Sequence, residues 1–135
     1  MKAFCALFVA FLLVGCASQR DYDFLVRHAI TTLDRSSKIE TVVLAPSLSS
    51  EARRAAERYY NTMDQAAVVP VQGYDLAPGL LVLKSVEISG DTAHVKALTG
   101  PIRANANLDC GGTHDVSYAK VDGRWKQGLI ETIVC

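Results

Sequence analysis

An excess of charge of either sign is missing from this chain. In 135 residues, 14 lysines and arginines stand against 14 aspartates and glutamates, for a formal net charge of +0. With no basic field there is nothing to hold a nucleic-acid backbone, and no block of about five or more like charges forms an interaction tail. A long apolar span is also missing: the uncharged run from Ala3 to Gly15 falls short of the ~20 residues that cross a bilayer. The short signatures of catalysis are absent too, with no HExxH, no GxSxG, no P-loop glycine pattern and no dinucleotide fingerprint. No enzyme activity and no cofactor are expected. What is present, 50% hydrophobic and 21% charged residues, is too apolar for a disordered chain and too short for two cores, so one modest domain is expected.

The apolar run itself has a lysine before it and small residues at its end, the layout of a secretory signal. It closes on Leu13-Val14-Gly15-Cys16. That tetrapeptide resembles the lipobox of bacterial lipoproteins. The resemblance implies a diacylglyceryl group on the Cys16 sulfur, removal of residues 1–15, and further acylation of the new amino terminus. Two or more acyl chains, each buried methylene contributing about 0.8 kcal/mol, would anchor the protein to a membrane without spanning it. In the family, an aspartate after the cysteine often retains the protein at the inner membrane. Ala17 stands there in this chain, which favours the outer membrane of a Gram-negative cell, with the domain facing the periplasm.

Under the same reading Cys5 leaves with the signal and Cys16 carries lipid. Cys110 and Cys135 then form a pair in an oxidising compartment, and a disulfide between them is expected. Closing such a loop is worth roughly 3 to 4 kcal/mol in the chain-entropy picture. A metal site is the competing reading, and the lack of CxxC spacing or a nearby histidine pair makes it a poor zinc site. The division expected is therefore a signal at 1–15, a lipidated tether at 16–20 and one domain at 21–135. At ~3.5 Å per residue the tether reaches on the order of 14 Å, which keeps the domain near the membrane surface.

Helices come first. From Asp21 to about Asp34, Tyr22, Leu25, Val26, Ala29, Ile30 and Leu33 recur at helical spacing and predict an amphipathic helix. The run at 40–45, with Val42 and Val43 before Pro46, predicts a short strand. A second helix is expected after Ser49 and Ser50, with Ala52, Ala55, Ala56, Tyr59, Met63 and Ala66 as one stripe. Arg53, Arg54 and Arg58 lie off that stripe beside Glu57, either as a solvated face with ordinary ion pairs or as a patch for an acidic partner.

Two hairpins follow a looser stretch rich in proline and glycine. In the first, a Gly90-Asp91 turn would set Ile88 opposite Ala93 and Val86 opposite Val95 on the core side, with Glu87 opposite His94 on the other. In the second, an Asp122-Gly123 turn would put Val116, Tyr118, Trp125 and Leu129 on one face, with Lys120 across from Trp125. The segment from Thr99 to Thr113 between them has little periodicity. Connections of that length are often functional, so Arg103, Asn105, Asn107 and Asp109 are candidate partner-binding residues, against the plainer reading of a connecting loop.

Helices followed by antiparallel strands predict an α+β domain, with N-terminal helices packed on a curved antiparallel sheet of about four to five strands. The closing segment VSYAKVDGRWKQGLI resembles the terminal hairpin of small NTF2-like and cystatin-like domains, which often carry a DG-[KR]-W turn. The resemblance implies a sheet wrapped partly around the helices, sometimes with a pocket between them. The strand at 40–45 departs from the simplest cystatin-like order.

For chemistry, Glu87 and His94 are the one candidate dyad, a carboxylate able to orient an imidazole, and a surface charge pair is the plainer reading. His28 reads as a boundary residue near Phe24. His114 and Asp115, adjacent in a strand, would point to opposite faces. Two functions follow as expectations: a non-catalytic envelope lipoprotein that binds a protein partner, as inhibitor, immunity factor or assembly accessory, or an NTF2-like pocket domain that binds or processes a small ligand.

Overall fold

A computed structural model of the chain describes residues 17–35, 38–67, 79–99 and 112–134. The signal at 1–15, Cys16, Cys110, Cys135 and the candidate residues Arg103, Asn105, Asn107 and Asp109 lie outside the described residues.

Helix α1 spans Gln19–Asp34. Ser18 caps it: its hydroxyl accepts from the Asp21 amide, and the Asp21 carboxylate accepts from the Ser18 amide at 3.0 Å, which satisfies two otherwise orphaned donors. Leu25, Val26, Ala29, Ile30 and Leu33 are all buried, as the spacing predicts. Strand β1 follows at Thr41–Leu44, then helix α2 at Ser50–Tyr59 with Ser49 as its cap.

Helix α2 ends earlier than the apolar stripe predicts. Tyr60 is already extended, at φ −135° and ψ 158°, and Thr62–Asp64 forms a short strand, β2. Ala52, Ala55 and Ala56 are buried on the helix, while Tyr59 is 41% exposed and Met63 leaves the stripe for the sheet. The cause is pairing: Thr62, Met63 and Asp64 lie beside Val42, Val43 and Leu44, and the ladder outcompetes a helical stripe in this stretch.

The remaining strands are β3 (Leu80–Ser89), β4 (Thr92–Thr99), β5 (Gly112–Val121) and β6 (Arg124–Val134). All six described strands form one sheet in the order β2-β1-β3-β4-β5-β6. Strand β1 runs parallel to both its neighbours, and the other pairs are antiparallel. The fold is thus α+β with an open mixed sheet, where the sequence predicts an all-antiparallel one. The difference sits where a helix returns the chain between strands, a crossover that makes parallel neighbours.

The first hairpin has the predicted register, Ile88 to Ala93, Val86 to Val95 and Glu87 to His94. Gly90 takes φ 60° at its turn. In the second hairpin, Asp122 at φ 52° and Gly123 at φ 75° give the two left-handed residues that a type I′ turn needs, and Lys120 lies across from Trp125 as expected. Further along, the register shifts. Tyr118 faces Gln127, yet Val116 faces Ile130, so one extra residue sits on β6 opposite Ser117. The simple count from the turn pairs Val116 with Leu129. The bulge turns Leu129 to the opposite face, where it is 75% exposed.

The main core lies between the helices and one sheet face. It joins Leu25, Val26 and Ile30 of α1 and the alanines of α2 to Leu81, Leu83, Val95, Val116 and Tyr118 of the sheet. A smaller cluster of Val43, Ala45 and Val82, with Met63, Leu80 and Leu98 against it, occupies the other face near β1.

Candidate functional site on the open sheet face

Because Val86, Val95 and Val116 point into the helix-covered core, the residues beside them in each strand point to the opposite face. Register then lines these residues up in rows across the sheet. One row is Val82, Leu98, Thr113 and Ile133. The next is Ser85, Lys96, Asp115 and Glu131, with Lys84 at a bulge in β3 lining the same groove. A third holds Glu87, His94 and Ser117, with Leu129 nearby.

Along these rows runs a shallow groove of about 540 Å³, lined by Lys84, Lys96, Leu98, Thr113, Asp115 and Ile133 among others. A smaller hollow of about 200 Å³ adjoins it, lined by His94, Asp115, Ser117, Leu129 and Glu131. The far side of the groove is strand β6, the edge of the sheet, with Leu129 at 75% and Ile133 at 64% exposure. Exposed aliphatics on either side of Glu131 on an edge strand mark a surface that other chains can join.

The structure re-partners the candidate dyad. Glu87 and His94 stand opposite each other, but the imidazole Nδ1 lies 3.0 Å from Asp115 Oδ1, a diagonal neighbour on β5. Both side chains are partly exposed, so the pair contributes little to stability. Ser117 faces His94 directly, which brings a hydroxyl, an imidazole and a carboxylate onto one patch. The hydroxyl, however, donates to the Leu129 carbonyl at 2.9 Å, across the bulge, and not to the ring. A nucleophile activated by its base requires that missing hydrogen bond. Among the described residues, no three histidines, cysteines or carboxylates gather where a metal ion could be held.

The remaining histidines belong to the other face. His114 is buried and bridges two hydroxyls, with Nε2 2.9 Å from Thr99 Oγ1 and Nδ1 3.0 Å from Thr132 Oγ1. Burial holds its pKa below the ordinary 6.5. Its neighbour Asp115 points the other way, as strand alternation predicts. His28 stacks on Phe24 and lies 2.9 Å from the Tyr118 hydroxyl, and burial pushes the Tyr118 phenol up.

The hairpin tip is tied to the start of α1. Trp125 Nε1 donates to Asp21 Oδ1 at 2.9 Å, and Lys120 lies 3.6 Å from the same carboxylate and 5.3 Å from the Trp125 ring centre. Burial alone would raise the Asp21 pKa, but these two partners and Ser18 hold it below its ordinary value. On α2, Arg53 pairs with Asp64 and Arg58 with Asp23, which uses two of the three arginines within the chain.

Comparison with family models, curated proteins and solved structures finds no similar protein. The site therefore stands on geometry alone. Sequence reasoning did not single out Lys84, Lys96, Asp115, Ser117, Leu129, Glu131 or Ile133 as one surface. The alternation in β4 and β5 carried the signal for three of them, Lys96, Asp115 and Ser117, whereas the bulge that exposes Leu129 leaves no local mark. No described helix is long and apolar enough to cross a membrane.

Proposed function

We propose that this chain is an outer-membrane lipoprotein, anchored through Cys16, whose single domain binds a protein partner and catalyses no reaction. The observation that carries the binding part is the open sheet face, with Leu129 and Ile133 exposed beside a charged groove. Folded monomers seldom leave large aliphatic side chains this exposed on an edge strand unless something covers them. The anchor rests on the lipobox-like Leu13-Val14-Gly15-Cys16. Arg103, Asn105, Asn107 and Asp109, which fall between β4 and β5 in the sequence, remain the candidate partner-binding residues, and a Cys110–Cys135 disulfide would tie their segment to the end of the chain.

Two helices covering a sheet that closes on a DG hairpin support an NTF2-like or cystatin-like reading of the fold. A small-ligand pocket between helices and sheet draws less support. Leu25, Val26, Leu83, Val95, Val116 and Tyr118 fill that side as core among the described residues, and the two grooves described above lie on the other face.

Two measurements test the proposal. Mass spectrometry of the mature amino terminus should find acyl groups that vanish in Cys16→Ser, and an unmodified wild-type terminus would sink the anchor. Cross-linking in intact envelopes, followed by recovery of the tagged chain, should yield a specific protein adduct. Recovery unchanged by Leu129→Asp with Ile133→Asp would remove the open face as its contact.

A further inference from the structure

One transverse row of the open face carries its charges in a fixed order. From β3 to β6 its charges are Lys84, at the bulge beside the in-register Ser85, then Lys96, Asp115 and Glu131, two cations and then two anions, with the change of sign between β4 and β5. Among the described residues, Lys84, Lys96 and Glu131 lie in no ion pair, and Asp115 meets only His94. These charges are not spent inside the fold. A ligand of uniform sign, such as a nucleic acid or an anionic lipid surface, would be repelled by half the row.

The pattern reverses sign about its own midpoint, which makes the face self-complementary. A twofold axis parallel to the strands, between β4 and β5, lays β3 and β4 of one copy over β6 and β5 of another. Lys96 then faces Asp115 of the second copy, and Lys84 faces its Glu131. In the adjoining row, half-buried Leu98 falls over half-buried Thr113, and exposed Ile133 lies toward β3, where Val82 is already buried in its own chain. That is the geometry of an isologous pair, two sheets stacked face to face about 10 Å apart with strands nearly aligned.

We infer that the occupant of the open face is a second copy of this chain, docked about that axis. This rests on the reading of the face as a protein-binding surface and names its partner. Ile133, with the uncovered parts of Leu98 and Thr113, supplies the apolar burial, and the charged row sets register and excludes other arrangements.

The test uses the full-length chain in detergent, with sedimentation corrected for bound detergent. Wild type should show a concentration-dependent equilibrium between one and two copies that weakens as salt rises. Lys84→Glu with Lys96→Glu makes the row wholly acidic, and Asp115→Lys with Glu131→Lys makes it wholly basic. Each variant alone should self-associate at least about tenfold more weakly, and an equimolar mixture should restore the pair. Lys84→Glu and Glu131→Lys, made singly and mixed, repeat the swap while keeping His94 on Asp115. Restoration also shows that both variants fold. A wild type that stays single at every concentration, or a mixture that pairs no better than its components, overturns the inference. If the single chain still loses a foreign envelope adduct on these substitutions, the docking surface stands and only the self-pairing falls. If no adduct forms either, both fall.

Discussion

Gly112 shows how closely one residue type is set by its neighbours. A methyl group there would sit 2.9 Å from His114 Nε2 and 3.0 Å from Thr99 Oγ1, the two atoms that bond to each other. The imidazole cannot swing aside without losing Thr132 as well. Gly112→Ala should therefore cost about 1 to 2 kcal/mol in urea denaturation, the order of a disrupted buried hydrogen bond. An unchanged stability would mean that the bridge is loose. The same histidine gives a pH dependence with a definite sign. Its folded pKa is depressed, so its contribution is present above the ordinary 6.5 and is lost as pH falls through the folded value. The stability difference between wild type and His114→Gln should shrink from about pH 7.5 to about pH 5, and a difference that grows on acidification would contradict a buried neutral ring. None of this was visible in the sequence. Alternation placed His114 opposite to Asp115, but the two hydroxyls that hold it come from strands far apart in the chain.

At the scale of elements, the local signals that proved legible were those with short reach. The capping serines, the α1 stripe and the Gly90-Asp91 and Asp122-Gly123 turns each act within a few residues, and each fixed its element. Helix α2 and strand β6 departed because something distant decided them. Parallel pairing with β1 claimed Thr62–Asp64, and a bulge opposite Ser117 turned β6 over. A one-residue slip moves every later side chain to the other face, so the bulge makes a clear contrast. Leu129→Ser should change stability by less than about 0.5 kcal/mol, as exposed sites do, while Val116→Ala should cost about 1.5 to 3 kcal/mol from the core. Chemical denaturation of both variants checks this. A large loss for Leu129→Ser would restore the unbulged register, in which that leucine is core.

Over the whole molecule, one face of the sheet is spent on stability, and the other is packed near β1 but left for contact toward β6. The helices, the main core and the Asp21–Trp125 tie all lie on the covered side, so substitutions at the exposed positions Leu129 and Ile133 should leave folding intact. The sequence made the α+β class legible because periodicity changes from helical to alternating partway along the chain. It did not make the contact surface legible, because Lys84, Lys96, Asp115 and Glu131 become a row only once four strands are in register. The most direct test is site-specific photo-crosslinking in intact cells, with the photoreactive residue at Leu129 or Ile133 on the open face, and at Arg54 on α2 as the control. A discrete adduct is expected from Leu129 and Ile133 and none from Arg54. Adducts from Arg54 alone, or none from either open-face position, would contradict it.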